Sequence, residues 1–388
     1  MKIKYIDTYS TQLFHLQINA CILKMLWGLY PDSVVCFMSN SSRTNVIKLC
    51  SELSIVPYHT LTVVDSHNKV TTVLRVMFSA FQNIRLLLFS NSDDLLFYNY
   101  NNVLSLHLIN AINKWLNREI VIICHGELEL LCPEVSGGPF TKILSRKLRS
   151  FFEEKSKIDN NITFCVLGES ILHNIKTILP TKASSHFAYF DHPYIYKGII
   201  NKKEKKKDVI NIGMVGAFSE SKGASDFLWL VQQLHNQKRI KFSVTGPIIS
   251  RLEDLKQLGV SMPSNLGKDL VPRKEFLDRL KELDFLLFLY PLDSYKLTAS
   301  GAIMDAIDWG IPILAIKNDY FCSIFENYGS FGYLVNNKYE MKDIIISSIC
   351  KKDSLKIDFD SIRLKSSPAK VSGQLGQIVS NIIKFSQV

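Results

Sequence analysis

Short runs of apolar residues alternate along the chain with stretches in which apolar residues recur every three or four positions. In the first half, the runs that predict strands are IKYID (3–7), SVVCFM (33–38), IRLLLFS (84–90), EIVIICHG (119–126) and ITFCVLG (162–168). The helical spacing between them is clearest at 16–30 and 103–117. Apolar strands separated by helices are typical of parallel βαβ units, whose sheet is covered on both faces.

A second series of the same kind begins near residue 209. It predicts strands at 210–218, 240–247, 284–291 and 311–317, and helices at 226–237, 273–283 and 300–310. Two segments, 136–160 and 360–376, follow neither pattern, and we expect them to be irregular. The whole pattern predicts an α/β chain of two Rossmann-like, doubly wound domains.

The residue composition changes near residue 200, where a lysine-rich run interrupts the apolar pattern. This change sets the expected domain boundaries. They are an N-terminal domain at 1–196, a basic hinge at 197–208, a C-terminal domain at 209–375 and a final helix at 376–388. The hinge contains Lys202, Lys203, Lys205, Lys206 and Lys207. A run of this kind is typical of a solvated linker, and the alternative is a patch that meets a membrane or an acidic partner.

Composition narrows the classes of function. The 388 residues carry a net charge of +10, which suits nucleic acid, anionic lipid or phosphorylated small molecules. No zinc-finger spacing or RNA-binding aromatic motif occurs, so we expect no nucleic-acid partner. The eight cysteines form no CxxC pair, which predicts a reducing, cytoplasmic setting without a metal site. No apolar run approaches the length of a membrane span.

The first candidate site is the loop after the strand that begins at residue 210. It contains Gly216, Ser219, Ser221, Lys222 and Gly223, and a helix is predicted directly after it. Backbone N–H groups at a helix start attract anions, and a lysine adds a point charge suited to phosphate. The alternative is a tight turn with a surface lysine.

The second candidate site is the segment YPLDSYKLTASGAIMDAIDWGIP (290–312). Ser300 is a good N-cap for the predicted helix, and Gly301 lets a ligand approach the backbone. Asp305 lies about one turn into that helix, where its carboxylate can accept hydrogen bonds from ribose hydroxyls. The alternative for Asp305 is a solvent-facing helix residue.

Together the two motifs resemble the C-terminal half of GT-B glycosyltransferases, notably the retaining group called family 4. That group has a phosphate loop ending in Lys-Gly, matched by Lys222 and Gly223, and a donor motif EGFGxxxxEAMAxGxPV. The motif's tail matches residues 305–312, which places its ribose-binding glutamate on Asp305 and its phosphate-binding turn on Ser300, Gly301 and Ala302. The family's arginine before Lys-Gly falls on Ala217 and its first glutamate on Leu297, so this chain departs from the pattern there.

The resemblance also assigns residues outside these two motifs. It implies that Gly246, Gly267 and Lys268 lie at the nucleobase, although ordinary βα turns explain them equally well. The strand ending in His125-Gly126 resembles the family's His-Gly strand, whose histidine points into the cleft near the donor sugar. The resemblance further suggests Glu127 as an acceptor ligand, or as a base if the enzyme inverts. By resemblance, His15 and Asn19 are acceptor-binding candidates, one helical turn apart.

The resemblance therefore predicts a GT-B fold, with two Rossmann-like domains facing each other across a cleft. It implies a hexosyltransferase that uses a UDP- or GDP-sugar as substrate, needs no cofactor or metal, and retains the anomeric configuration. The N-terminal domain is expected to bind a saccharide or lipid-linked acceptor in surface polysaccharide biosynthesis. A nucleotide-sugar epimerase and a noncatalytic nucleotide-sugar-binding subunit stay open as alternatives.

The basic charge also suggests peripheral contact with an anionic membrane at its inner face. The candidate stretch runs from Lys142 to Lys157, and we expect Phe151 and Phe152 to insert into the lipid. The alternative is an enzyme that stays in the cytoplasm and whose basic surface only attracts an anionic donor.

Overall fold

The computed structural model describes residues 1–132, 138–153, 155, 157–197, 209–268, 271–292, 294–351 and 356–385. These residues form two compact units. Unit 1 comprises Met1–Ile195, Leu297–Ala299 and Ser366–Val388, and unit 2 comprises Tyr196–Lys296 and Ser300–Lys365. Apart from residue 197, the predicted basic hinge lies outside the described residues.

Unit 1 is built on a parallel sheet that has seven strands in the described residues. Its strands are β1 (Ile3–Ile6), β2 (Val34–Met38), β3 (Tyr58–Thr60), β4 (Leu95–Tyr98), β5 (Glu119–Ile123), β6 (Ile162–Val166) and β7 (Phe187–Tyr189). Their order is β3-β2-β1-β4-β5-β6-β7, so the chain winds outward from β1 in one direction and then from β4 in the other. The carboxyl ends of β1 and β4 thus meet at a topological switch point, where doubly wound folds bind ligands.

Helices follow most of these strands. They are α1 (Leu16–Leu29), α2 (Asn40–Leu49), α3 (Lys69–Leu88), α4 (Val103–Leu116), α5 (Pro139–Phe151), α6 (Glu169–Ile178) and α7 (Thr181–Ser184). Short 3₁₀ helices occupy Ser51–Ile55 and Glu127–Leu131. The apolar strands are buried on both faces, which confirms the interpretation of a covered parallel sheet.

Unit 2 repeats this architecture with five parallel strands in its described residues. The strands are β8 (Ile210–Val215), β9 (Ile240–Thr245), β10 (Phe285–Phe288), β11 (Ile313–Ile316) and β12 (Gly332–Val335), in the order β12-β11-β10-β8-β9. Its helices are α8 (Ala224–Leu234), α9 (Leu252–Gln257), α10 (Arg273–Lys281), α11 (Gly301–Trp309), α12 (Asp319–Tyr328), α13 (Lys338–Lys351) and α14 (Phe359–Lys365). The strands and helices predicted for this half are confirmed.

The last described helix, α15 (Pro368–Phe385), returns to unit 1. It packs on α1, with Val371, Leu375, Val379 and Ile382 buried in the core that α1 shares with β1 and β2. Residues 297–299 also belong to unit 1, although the chain on either side of them is in unit 2.

Three predictions about unit 1 and the chain's C-terminal part were wrong. Residues 84–88, predicted as strand, end α3, which starts at an Asn68–Thr71 capping box and keeps its helical spacing to Leu88. The strand of this βαβ unit is instead β4. The expected irregular segment 136–160 contains α5, which begins at Pro139, and 360–376 contains most of α14 and the start of α15.

The expectation that Phe151 and Phe152 insert into lipid was also wrong. Phe151 is 2% exposed and Phe152 is 1% exposed. Both rings pack edge-on against Phe164 of β6, and Phe152 also contacts Phe187 of β7. The two phenylalanines therefore anchor α5 to the sheet and leave its basic residues outside.

Candidate functional site

In unit 2, three of the predicted glycines meet where β8 and β9 end. Gly216, Gly246 and Gly267 all have positive φ. A Cβ atom on Gly246 would collide with the carbonyl oxygen of Gly216, and one on Gly267 would lie 2.9 Å from that of Gly246. The loops therefore pack backbone against backbone, so side chains are excluded from this contact.

Lys222 lies directly beside these loops. Its Nζ would be 3.3 Å from a Cβ built on Gly216, and it lies 5.8 Å and 5.9 Å from the ring centroids of Tyr290 and Tyr295. The two rings stack at 4.1 Å. Among the described residues no carboxylate pairs with this ammonium, and burial lowers the pKa of Lys222. A half-buried cation held only by ring faces is a ready partner for an anion.

Two helix starts lie at this same edge. The N-cap residues of α8 and α11 are Gly223 and Ser300, and neither helix start has a side-chain capping hydrogen bond among the described residues. Ser300, expected as an N-cap, instead places its Oγ 3.3 Å from the hydroxyl of Tyr290. The N–H of Ala224, the first of α8, donates to the carbonyl oxygen of Ser219 at 3.1 Å. The next N–H of α8, on Ser225, and the first two of α11, on Gly301 and Ala302, lie at helix starts without a capping side chain, as expected where backbone amides bind an anion.

Unit 1 has a buried polar network at the carboxyl ends of β1 and β4. Asp7 accepts hydrogen bonds from the backbone N–H groups of Tyr9 and Ser10 and, at 2.7 Å, from Nδ2 of Asn19. Asn19 Oδ1 accepts in turn from the Tyr5 hydroxyl, at 2.7 Å, and from Nδ2 of Asn99. Asn19 is fully buried by these partners, so it fixes the ends of β1 and β4.

A histidine cluster lies in front of this network. The rings of His15 and His125 are 4.3 Å apart, and Nε2 of His125 donates to the carbonyl oxygen of Asn99 at 2.7 Å. Burial lowers the pKa of His15 and His125, and it lowers the pKa of His192 to about 4. His15 also has a left-handed backbone, with φ of 53°. Three neutral imidazoles and a strained residue at a switch point are typical of a ligand site.

Two glutamates follow His125 at the start of the 3₁₀ helix. Oε2 of Glu127 accepts from the N–H of His125 at 2.9 Å, and burial raises the pKa of Glu127 to about 7. Oε1 of Glu129 accepts from the N–H of Leu297 at 2.8 Å. Leu297 is the position at which the family motif has its first glutamate, so Glu129 brings a carboxylate to that position.

Several buried polar atoms of unit 1 have no hydrogen-bond partner among the described residues. Among them are His15 Nδ1, His192 Nδ1, Asn99 Oδ1, Asn101 Oδ1, Glu127 Oε1 and Thr298 Oγ1. An unpaired buried polar atom costs about 1–3 kcal/mol, so a cluster of them is expected only where a ligand or water completes the bonding. These atoms belong to the histidine cluster itself, to residues that follow β4 and β5, and to Thr298 beside Gly126. They mark the carboxyl edge of the unit 1 sheet as a second candidate site.

The chain is similar to solved structures that include glycosyltransferases. HepE of Anabaena, in complex with UDP, aligns over 98% of this chain and 100% of its own, with a TM-score of 0.61 and 13% identity. The lipopolysaccharide outer core galactosyltransferase WaaB, in its apo form, aligns over 100% of both chains, with a TM-score of 0.59 and 13% identity. A glycosyltransferase of Rickettsia africae aligns over 98% of both, with a TM-score of 0.58 and 11% identity.

The chain has the GT-B fold. At these identities the likeness establishes the fold alone. No family model matches the sequence, and no curated protein sequence matches it either.

No group of three His, Cys, Asp or Glu side chains in the described part is placed to hold a metal ion. None of the helices within the described ranges is long and apolar enough to cross a membrane.

The GT-B architecture places the sequence-predicted residues in two groups. The unit 2 group contains Gly216, Ser219, Ser221, Lys222, Gly223, Gly246, Gly267, Ser300, Gly301 and Ala302 near the ends of β8, β9 and β10. Lys268 is exposed beyond Gly267, and Asp305 lies half-buried on α11. The unit 1 group contains His15, Asn19, His125 and Glu127, of which His15, His125 and Glu127 adjoin the unpaired atoms.

Sequence reasoning missed four residues of these two groups. Tyr290 and Tyr295 hold Lys222, and Asn99 and His192 adjoin His125. The signal for Asn99 was available, because the polar run NYNN (99–102) follows the apolar LLFY (95–98), but the wrong strand at 84–90 concealed it. Tyr295 has a left-handed backbone, with φ of 60°, which no sequence pattern indicates for a tyrosine.

Proposed function

We propose that this protein is a glycosyltransferase that transfers a hexosyl group from a nucleoside-diphosphate sugar. The observation that carries the proposal is Lys222, a half-buried ammonium beside Gly216 and the uncapped start of α8. A diphosphate has the charge and the oxygen acceptors that this arrangement lacks. The solved structures of HepE with UDP, and with UDP and glucose, support a uridine diphosphate donor, with a GDP-sugar as the alternative.

The chemistry we assign to unit 2 is stabilisation of the leaving group. As the glycosidic bond to the diphosphate breaks, negative charge grows on the phosphate oxygens. Lys222 and the amides at the starts of α8 and α11, apart from the Ala224 N–H that is bonded to Ser219, are fixed in advance to meet this charge, so little reorganisation is needed. Asp305 is assigned to the ribose hydroxyls by resemblance. The donor is a substrate, and we assign no cofactor or metal.

The acceptor is assigned to unit 1, as a saccharide or lipid-linked saccharide in surface polysaccharide assembly on the cytoplasmic side. A sugar brings several hydroxyls, each of which can both donate and accept hydrogen bonds. The unpaired atoms of His15, His192, Glu127 and Thr298 are suited to such a ligand. Retention of the anomeric configuration follows from the family resemblance, with proton NMR of the product as its check.

A nucleotide-sugar epimerase of the same fold is the second candidate, and Glu127 is the observation that favours it. A buried carboxyl whose pKa lies at about 7 can take or release a proton near neutral pH. Such a base serves epimerisation and also an inverting transfer.

One experiment separates these functions. The protein is incubated with UDP-, GDP- and ADP-sugars, with and without saccharide acceptors, and free nucleotide and sugar identity are measured. We expect acceptor-dependent release of one nucleotide. A changed sugar on intact nucleotide would establish the epimerase. Raised thermal stability with a nucleotide, but neither reaction, would indicate a binding subunit and contradict the proposal.

A further inference from the structure

Helix α3 carries an apolar stripe on its exposed side. Its buried face is mixed, with the polar Arg75, Ser79, Gln82 and Asn83 beside the apolar Val76, Ala80 and Leu87. Its exposed residues include the apolar Val70, Leu74, Met77, Phe78, Phe81 and Leu88. A surface helix normally turns its apolar stripe toward the core, so α3 presents to its surroundings a stripe of the kind that other helices bury.

Buried hydrogen bonds fix this orientation. Oγ of Ser79 lies 2.7 Å from Oγ1 of Thr8, and Oδ1 of Asn83 accepts from the same hydroxyl at 2.7 Å. Nε of Arg75 donates to the carbonyl oxygen of Val64 at 2.7 Å. Turning the helix to bury its apolar residues would break these bonds and leave buried polar atoms unpaired. The exposed apolar stripe is therefore built into the fold.

The stripe is continuous. At 3.6 residues per turn, its six apolar residues fall within an arc of about 100° along the whole helix. Phe89 extends it at the C-terminal end and is 78% exposed, while Phe81 in its middle is 61% exposed. An exposed apolar patch of this length on a folded protein marks an interaction site.

The neighbouring helices determine which kind of partner fits. Helix α4 packs against both α3 and α5, so the three helices form one layer of unit 1. Their sequences contain no Asp or Glu and eight basic residues: Lys69, Arg75, Arg85, Lys114, Lys142, Arg146, Lys147 and Arg149. Trp115 of α4, 93% exposed, adds an aromatic ring at the edge of this layer.

A second copy of the chain does not suit this surface. In a symmetric dimer the same patch meets itself, so the basic residues of one copy would lie against those of the other. An anionic bilayer meets both requirements, because its acyl region buries the apolar side chains and its headgroups neutralise the lysines and arginines.

We propose that α3 lies in the interface of an anionic membrane and that α4 and α5 contribute basic contacts to its headgroups. The exposed apolar residues of α3 with Phe89, and the basic residues of the three helices except the buried Arg75, form what we term the α3 surface. This places the membrane contact on α3, away from Phe151 and Phe152. It does not depend on glycosyl transfer, since binding is measured without a donor.

The test is flotation of the full chain with vesicles of phosphatidylcholine, alone or mixed with phosphatidylglycerol. We expect binding to the anionic vesicles that weakens as salt is added. Phe78→Ser/Phe81→Ser should lower the apparent affinity about tenfold or more, because two apolar side chains no longer enter the lipid. Arg146→Glu/Lys147→Glu should weaken binding to anionic vesicles only.

Matched controls lie in unit 2. Ile249 is exposed and apolar, and Lys274 is exposed and basic. Ile249→Ser and Lys274→Glu should bind vesicles like the parent, and all variants should keep its melting temperature. The proposal is overturned if the parent ignores anionic vesicles or if the α3 variants bind as well as it does. It is also overturned if the parent is a dimer that Phe78→Ser/Phe81→Ser converts to a monomer without changing vesicle binding.

Discussion

Lys222 is the residue on which the proposed donor site depends most. Its ammonium rests over Tyr290 and Tyr295 and has no carboxylate partner in the described residues. The folded protein therefore gains little from its charge, because burial disfavours the charged form and lowers its pKa. A bound diphosphate would reverse that balance, since it supplies the missing negative charge.

We therefore expect Lys222→Ala to lower donor turnover about a hundredfold or more, as for other groups that stabilise transition-state charge. Its melting temperature should stay close to the parent's. Release of nucleotide from the preferred donor is the measurement, and the exposed Lys274→Ala is the control. Turnover equal to the parent's would remove Lys222 from the site.

Glu127 gives the protein a pH dependence with a definite sign. Its carboxyl has an ordinary pKa of 4.5 in the unfolded chain and about 7 in the folded protein, because burial disfavours the charge. Between these values the folded state binds the proton more tightly than the unfolded state does. Its contribution to the free energy of unfolding therefore falls as pH rises from about 4.5 to about 7.

Glu127→Gln cannot ionise and should lose this dependence. We expect the variant to gain stability relative to the parent above about pH 7, by a few kcal/mol at most, and to gain little below about pH 5. Urea unfolding of both proteins across this range measures the difference. A constant difference between them would show that the carboxyl does not titrate there. Burial also lowers the pKa of His192, which makes the free energy of unfolding rise with pH. This effect is the same in both proteins and therefore cancels in the comparison.

At the scale of elements, the unit 2 loops could be predicted from sequence because their chemistry is local. A small residue is needed wherever two backbones meet, and Gly223 shows the need most clearly. It has φ of 84°, and a Cβ on it would collide with the carbonyl oxygen of Leu289 at the end of β10. A strand, a glycine-containing loop and a helix follow one another within about a dozen residues. The local sequence therefore contains all of this information.

Gly223→Ala should accordingly destabilise the protein by about 3 kcal/mol or more, since both the backbone strain and the collision oppose it. Gly301→Ala is the matched comparison, because Gly301 starts α11 with nothing within 4 Å of an added Cβ. We expect it to leave the melting temperature nearly unchanged while lowering nucleotide affinity. Equal stability of the two variants would contradict the packing argument.

Helix α3 shows where local reasoning fails. The run IRLLLFS has the composition of a buried strand, yet it ends a helix that exposes most of its large apolar residues, although Leu87 within the run is buried. Periodicity alone cannot tell a short apolar strand from the end of a helix. The orientation of α3 depends on hydrogen bonds of its buried polar residues. Thr8, which bonds Ser79, lies 71 positions away in sequence, and Val64, which accepts from Arg75, lies in the segment before the helix. Such partners are specified only by the folded chain.

At the scale of the whole molecule, the sequence predicts two α/β series but not which segments return to unit 1. Leu297 shows the limit. The family motif indicates a donor-binding carboxylate at this position, whereas the structure has a buried leucine whose N–H donates to Glu129. A contact between residues so far apart in sequence has no local signal. The same reason kept His192 out of the predicted site, because its neighbours His15 and His125 come from other strands.

Helix α15 is the larger returning segment, and its loss should affect unit 1 first. Leu375 is fully buried in the core that α15 shares with α1 and β2. Leu375→Ala removes apolar contacts and leaves a cavity, so we expect a loss of about 2–5 kcal/mol in the free energy of unfolding. Gln377→Ala, exposed on the same helix, should cost less than about 1 kcal/mol.

Urea unfolding, followed by hydrogen exchange of peptides from α1 and from α8, tests both the size and the place of the effect. Faster exchange in α1 with little change in α8 is the expected result. Equal acceleration in α1 and α8 would show that the two units unfold together and would contradict the assignment of α15 to unit 1 alone.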